Sequence, residues 1–125
     1  MLRRSKMFAT LAAFALVLPV GLTALPAQAE PDIRTVTLVG SLQSELGCSG
    51  DWQPDCEATD LVKDADGFTY SASFQLPAGA YEYKVAVDHA WDESYGPDGS
   101  GNNGPLALQG SAKVTVVYDD ETHTT

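Results

Sequence analysis

Trp91 lies in a short polar stretch, next to the carboxylates Asp92 and Glu93 and ahead of a glycine-rich segment. An indole ring offers a flat apolar face, while neighbouring carboxylates, amides and ammonium groups offer hydrogen bonds. Sugars present the complementary surfaces, a C–H face and a set of hydroxyls, so this combination predicts carbohydrate stacking. The alternative for Trp91 is a side chain that folds over the end of the domain as a lid on its core.

The second tryptophan, Trp52, lies between Cys48 and Cys56 and is also a candidate for carbohydrate contact, with packing on a disulfide as the alternative. The remaining binding candidates are polar side chains, for which a solvated charged face or plain loop polarity is the competing interpretation. They are Lys84, Asp88, Asp92, Asn102 and Asn103.

Enzymatic and metal chemistry find little support in the sequence. A nucleophilic mechanism needs an activated nucleophile beside an oriented base, and neither His89 nor His123 lies in a recognisable triad or elbow motif. The segment from Asp98 has oxygen ligands at alternate positions, but its twelfth residue is Gln109 instead of the glutamate of a calcium loop. We therefore expect no catalytic residues, no metal site and no cofactor.

Residues 1–29 have the pattern of a secretory signal peptide: a basic start, an apolar run over 7–25, and small residues at Ala27 and Ala29. Cleavage before Glu30 would release a secreted, extracellular domain, whereas retention of the apolar run as a membrane anchor is the alternative. An even number of cysteines in an exported chain favours a Cys48–Cys56 disulfide over a zinc site.

Charge restricts the ligands that an exported domain could bind. Without the first 29 residues, four basic and 17 acidic residues remain, a net charge of −13. Phosphates would be repelled, so we expect no nucleic-acid ligand and no contact with an anionic membrane, whereas a neutral polysaccharide carries no such penalty. The length predicts one monomeric domain over residues 30–125, with a core at 35–118 and a flexible tail at 119–125.

Apolar and polar residues alternate with a period of two along most of this domain, which is typical of strands with one buried face. The pattern is clearest from Phe68 to Leu76, from Tyr81 to Asp88 and from Ala112 to Tyr118; it is shorter at Val36–Leu38 and Leu61–Lys63, and weaker at Leu106–Leu108. No segment after residue 29 has a convincing helical period. The fold class is therefore all-β, a small immunoglobulin-like β-sandwich after a cleaved signal peptide.

The stretch Leu76–Gly96, the opening strand Val36–Ser41, the loop Leu46–Cys56 and the end Tyr118–His123 resemble the β-sandwich domains that accompany pullulanases. Tyr83 and Lys84 followed by Trp91 are similar, more distantly, to starch- and glycogen-binding modules. The resemblance implies a non-catalytic module that binds α-glucan polysaccharides or oligosaccharides, with a pullulanase-type catalytic domain as partner. An amylase-regulating interaction domain and a structural spacer are the alternatives.

Overall fold

The structure, a computed structural model, describes residues 34–125. The predicted signal peptide and its cleavage site lie outside the described residues. Within residues 34–125, no helix is long and apolar enough to cross a membrane.

Seven antiparallel strands form the domain, joined by loops and two short 3-10 turns at Gln43–Leu46 and Glu57–Thr59. The strands are β1 (Val36–Gly40), β2 (Asp60–Lys63), β3 (Thr69–Leu76), β4 (Gly79–Val87), β5 (Ser94–Tyr95), β6 (Gly104–Leu108) and β7 (Ala112–Asp119). Hydrogen bonding runs through them in the order β5-β4-β1-β2-β3-β7, and β6 also pairs with β4. The sheet curls so that its two halves face each other, which gives the expected all-β, immunoglobulin-like sandwich.

Strand β2 joins the two layers of the sandwich. Its first half pairs with β1, Leu61 opposite Val36, and its second half pairs with β3, Lys63 opposite Tyr70. One layer therefore holds β1, β4, β5 and β6, and the other holds β3 and β7. Strands β3 and β7 pair over their whole length, from Thr69 opposite Asp119 to Leu76 opposite Ala112.

The core lies between these layers and is built by the alternation that the sequence shows. Every second residue of β1, β3, β4 and β7 points inward, because successive side chains of a strand face opposite sides. The buried apolar cluster comprises Val36, Leu38, Leu42, Leu61, Tyr70, Leu76, Tyr81, Val85, Val116 and Tyr118. Tyr81 belongs to this cluster, and Tyr83 packs against it half-buried.

Two short segments have details that the sequence does not indicate. Strand β5 was not predicted, since two residues carry no detectable period. Residues 119–125 make contacts within the domain: the backbone N–H of Asp119 donates to the carbonyl of Thr124, and that of Thr125 donates to the carbonyl of Pro97. Their conformation is fixed by contacts with distant residues, which composition does not reveal.

The outer face of β1 and β4 is also buried, although it faces away from the core. Thr37, Val39 and Ala86 are all 0% exposed. Loops must therefore cover this side of the layer, and those loops carry the predicted site residues.

Candidate carbohydrate-binding site

Three loops are tied to the layer formed by β1 and β4. We call them the disulfide loop (residues 47–56), the tryptophan loop (residues 88–93, between β4 and β5) and the glycine loop (residues 96–103, between β5 and β6). Each loop is joined to a strand or to the start of a strand by a hydrogen bond that the structure defines. The candidate site is built on these three supports.

The disulfide loop is closed by Cys48 and Cys56, whose Cα atoms are 5.9 Å apart, so the predicted pairing is confirmed. Trp52 lies within it, half-buried, and its backbone N–H donates to the carbonyl of Gly40 at the end of β1 (3.2 Å). Trp52 has a φ of 57°, in the left-handed region that bulky residues seldom adopt. Such a conformation persists only where the surroundings hold it in place.

The buried side chain of Gln43 helps to hold the backbone beside Trp52 in place. Its side chain is 0% exposed, yet all its polar atoms are paired. Oε1 accepts from the backbone N–H groups of Gly40 (3.3 Å) and Gln53 (2.7 Å), while Nε2 donates to the Gln53 carbonyl (2.8 Å) and to Thr59 Oγ1 (3.1 Å). One buried amide therefore joins β1 to the disulfide loop, next to Trp52, and to the 3-10 turn that follows this loop.

The tryptophan loop is a hairpin connection closed by the hydrogen bond from the N–H of Val87 to the carbonyl of Glu93 (2.9 Å). Trp91 lies near its tip with 46% of its surface exposed. Asp88, at the start of the loop, is exposed and accepts from the backbone N–H of Thr35 (3.2 Å), and Asp92 is exposed beside Trp91. An indole with this exposure is available to a ligand and does not serve as a closed lid on the core.

Lys84 supports the glycine loop. Although it is charged and points away from the core, it is only 9% exposed, and its Nζ donates to the carbonyl of Gly101 (2.9 Å). The interpretation of Lys84 as part of a solvated charged face is therefore wrong, because a loop distant in sequence covers it. Val39 lies opposite Lys84 in the β1–β4 pairing, and Gly40, which accepts from Trp52, is the next residue. Lys84 thus holds the glycine loop on the same strand pair whose residue Gly40 holds the disulfide loop.

The glycine loop is compact. Gly96 is buried, and a Cβ there would lie 1.6 Å from the carbonyl oxygen of Asn102, so only glycine fits this close approach. Asn102 and Asn103 are exposed and line a cavity of about 200 Å³ whose other walls include Pro97, Asp98 and Pro105. Amide groups beside proline rings can offer a sugar hydrogen bonds and an apolar surface together.

A cluster of aromatic and charged side chains fixes the far side of the tryptophan loop. The carboxylate of Glu93 accepts from Arg34 and from the hydroxyl of Tyr95, and these contacts, the Tyr95 hydrogen bond first, lower the pKa of Glu93 below its usual value. His123 stacks on Tyr95 with ring centres 4.0 Å apart, and its Nδ1 lies 3.0 Å from the hydroxyl of Tyr118. Burial, followed by the charge of Asp120, raises the pKa of Tyr118.

A second cavity, of about 350 Å³, lies elsewhere, between the two layers. It is lined mostly by apolar side chains, among them Leu38, Phe74, Leu106 and Val114, and it contains none of the predicted site residues. A hydroxyl-rich ligand would find few hydrogen-bond partners there. We therefore assign the candidate site to the loops and not to this cavity.

The structure thus places Asn102 and Asn103 on a loop held by Lys84, Trp52 beside the end of the same strand pair, and Asp88, Trp91 and Asp92 on the loop that follows β4. Because Asp88 follows Lys84 by four residues, the tryptophan loop begins roughly 13 Å along the strand from Lys84. Sequence reasoning missed Gln43 and His89; only the position of His89 next to the tryptophan stretch could have drawn attention to it. No group of His, Cys, Asp or Glu within residues 34–125 could hold a metal ion.

In comparisons with known proteins, residues 35–125 match the family model of the pullulanase X25 domain. Amylopullulanases from Thermoanaerobacterium thermosulfurigenes and Thermoanaerobacterium saccharolyticum are each 36% identical over 88 residues, which span 69% of this chain but only 5% and 7% of those proteins. A solved structure of pullulanase from Bacillus acidopullulyticus is 42% identical, with a TM-score of 0.65, over 73% of this chain and 11% of that one. The chain therefore spans a small part of the relatives that it matches.

Proposed function

Since the chain belongs to the pullulanase X25 domain family, we propose that it is a secreted, non-catalytic module that binds α-glucan chains such as pullulan, starch or glycogen. The observation that carries the proposal is Trp91, an indole 46% exposed at the tip of a loop that hydrogen bonds fix on both sides. Asp88 and Asp92 on that loop, with Trp52, Asn102 and Asn103 on the other two loops, would supply further contacts. Lys84 would act by holding the glycine loop.

The proposed role as an accessory module agrees with the small share of each relative's length that this chain covers. The names of those relatives, pullulanase and amylopullulanase, refer to proteins of which this domain is a small part. Glycoside hydrolysis needs two carboxyl groups set at a defined spacing across a bound sugar, and an open cluster of loops provides no such enclosed cleft. We propose a pullulanase-type catalytic domain as the partner that benefits when the module holds the glucan nearby.

The direct test is native affinity electrophoresis of the purified domain in gels with and without pullulan or glycogen. A single stacked indole and a few exposed hydrogen bonds, each worth about 1 kcal/mol net, predict weak binding, with a dissociation constant from about 10 μM to several mM. Trp91→Ala should abolish the retardation with little change in melting temperature. Added salt should change the retardation little, since the ligand is neutral.

A matched control is Phe68→Ala, because Phe68 is also an exposed aromatic residue (37%) but lies beside the β2–β3 turn. Its retardation should equal that of the unaltered domain. If the folded, unaltered domain migrates freely in every gel, glucan binding is wrong, and pull-down of an amylase then separates the regulator from the spacer. Sugar release that tracks with the purified domain would refute a non-catalytic role.

Secretion has a separate test. The small residues Ala27 and Ala29 predict that the mature protein begins at Glu30. N-terminal sequencing or the intact mass of protein recovered from the culture medium decides this. A mass that retains residues 7–25, or protein found only in the membrane fraction, would point to an anchored protein instead.

A further inference from the structure

The tryptophan loop begins with a pair of unusual backbone conformations. Asp88 and His89 have φ values of 56° and 54°, so two consecutive residues other than glycine lie in the left-handed region. Asp and His tolerate this region better than most residues, but each still adopts it at an energetic cost. Strained backbone of this kind is kept where neighbouring groups enforce it, and it concentrates at functional sites.

Hydrogen bonds to the residue before β1 and to the first residue of β2 enforce this turn. The N–H of Asp88 donates to the carbonyl of Thr35 (2.9 Å), and the side chain of Asp88 accepts from the N–H of Thr35 (3.2 Å). The Nε2 atom of His89 lies 3.0 and 2.9 Å from the two carboxylate oxygens of Asp60, the first residue of β2. That carboxylate also accepts from the hydroxyl of Thr37, which is 0% exposed, so it is itself held in place.

This arrangement separates Trp91 from the clamped ring by one residue, Ala90. The N–H of Ala90 donates to the carbonyl of Val87 (3.4 Å), and the loop closes two residues beyond Trp91 at Glu93. The indole therefore projects from a turn whose backbone has little freedom. A ligand that stacks on an already ordered side chain avoids the entropic cost of ordering that side chain when it binds.

We propose that His89, held by Asp60, is a positioning residue that fixes the left-handed turn and thereby presents Trp91 to the sugar. This inference rests on the proposed function, because positioning matters only if Trp91 binds. His89 does not need to contact the glucan. Its effect on affinity should come from the order of Trp91, while the stability of the sandwich should depend little on a half-buried loop residue.

Affinity is compared between His89→Asn and the unaltered domain, while fluorescence is measured for His89→Asn in a Trp52→Phe background, where Trp91 is the single remaining tryptophan. Asparagine is tolerated in the left-handed region but its shorter side chain does not reach Asp60. We expect acrylamide to quench Trp91 more strongly and fluorescence anisotropy to fall. Retardation by pullulan should weaken roughly two- to tenfold, the range set by ordering one side chain. The melting temperature should stay within a few degrees.

Asp60→Ser is the second variant. The serine removes the carboxylate that bonds to His89 but keeps a hydroxyl opposite Thr37. Two such hydroxyls bond across strands elsewhere in this domain, at Ser73 and Thr115 (2.9 Å). Asp60→Ser should reproduce the His89→Asn phenotype, and the double variant should be no worse than either single one. Unchanged quenching, anisotropy and affinity in both variants would overturn the inference, as would a large drop in melting temperature with unchanged affinity of the folded protein.

These readouts also separate this inference from the proposed function. If the unaltered domain is not retarded by any glucan, the proposed function fails, and quenching and anisotropy of Trp91 alone decide the positioning role. If the unaltered domain is retarded and His89→Asn binds equally well, glucan binding stands and the positioning role is wrong.

Discussion

Replacing Gln43 by leucine should destabilise the domain more than its place in a short surface turn suggests. The substitution keeps the volume nearly constant but removes four hydrogen bonds to Gly40, Gln53 and Thr59. At about 1 kcal/mol net for each bond, with a further penalty for polar groups left unpaired inside the protein, we expect a loss of about 3–5 kcal/mol. For a domain of this size the melting temperature should fall by at least about 12 °C.

The assay is urea and thermal unfolding followed by circular dichroism, with the disulfide intact in both proteins. Gln53→Ala is the matched control, because its own amide bonds only to Ser49 near the surface and its backbone bonds to Gln43 remain. That control should lose no more than about 0.5 kcal/mol. A loss below about 1 kcal/mol for Gln43→Leu would refute the view that this buried amide organises the disulfide loop.

Three further predictions concern other contacts. Replacing Cys48 and Cys56 by serine should cost about 2–3 kcal/mol in urea unfolding, whereas equal stability of the reduced and oxidised proteins would contradict this. Gly40→Ala should destabilise the domain by about 1–3 kcal/mol, because the new Cβ would lie 2.1 Å from the Glu82 carbonyl oxygen, while Gly101→Ala, with nothing within 4 Å, should be neutral. The lowered pKa of Glu93 means that its contribution to stability is present above about pH 4.5 and is lost as the pH falls through the folded-state pKa. Urea midpoints of Glu93→Gln should therefore depend less on pH in the acid range; an unchanged dependence would show that this carboxylate is not the titrating group.

Much of the sandwich could be predicted because its strands obey a local rule. The alternation from Phe68 to Leu76 gave β3 and its buried face almost to the residue. The site could be predicted less well, because its geometry depends on contacts between distant segments. Lys84 is buried beside the glycine loop, to which it bonds through Gly101, and the last residues are held by the stacking of His123 on Tyr95 together with the backbone bond from Thr125 to Pro97. Contacts between distant segments leave no periodic or compositional pattern in the sequence, so the sequence does not predict them. The role of each site residue remains a prediction.

The pairing of β3 with β7 sets the order in which this domain can fold. Ser73 and Thr115, which join their hydroxyls across these strands, are 42 residues apart in sequence, and Ser41 and Glu82 at the end of β1 are 41 apart. Chains dominated by such distant contacts close large loops before they gain stability, and they fold slowly, in roughly milliseconds to seconds. A chain delivered from its N-terminal end must therefore leave the edge of β3 unpaired until Ala112–Asp119 has emerged. During that interval β3 is the segment most exposed to pairing with another molecule.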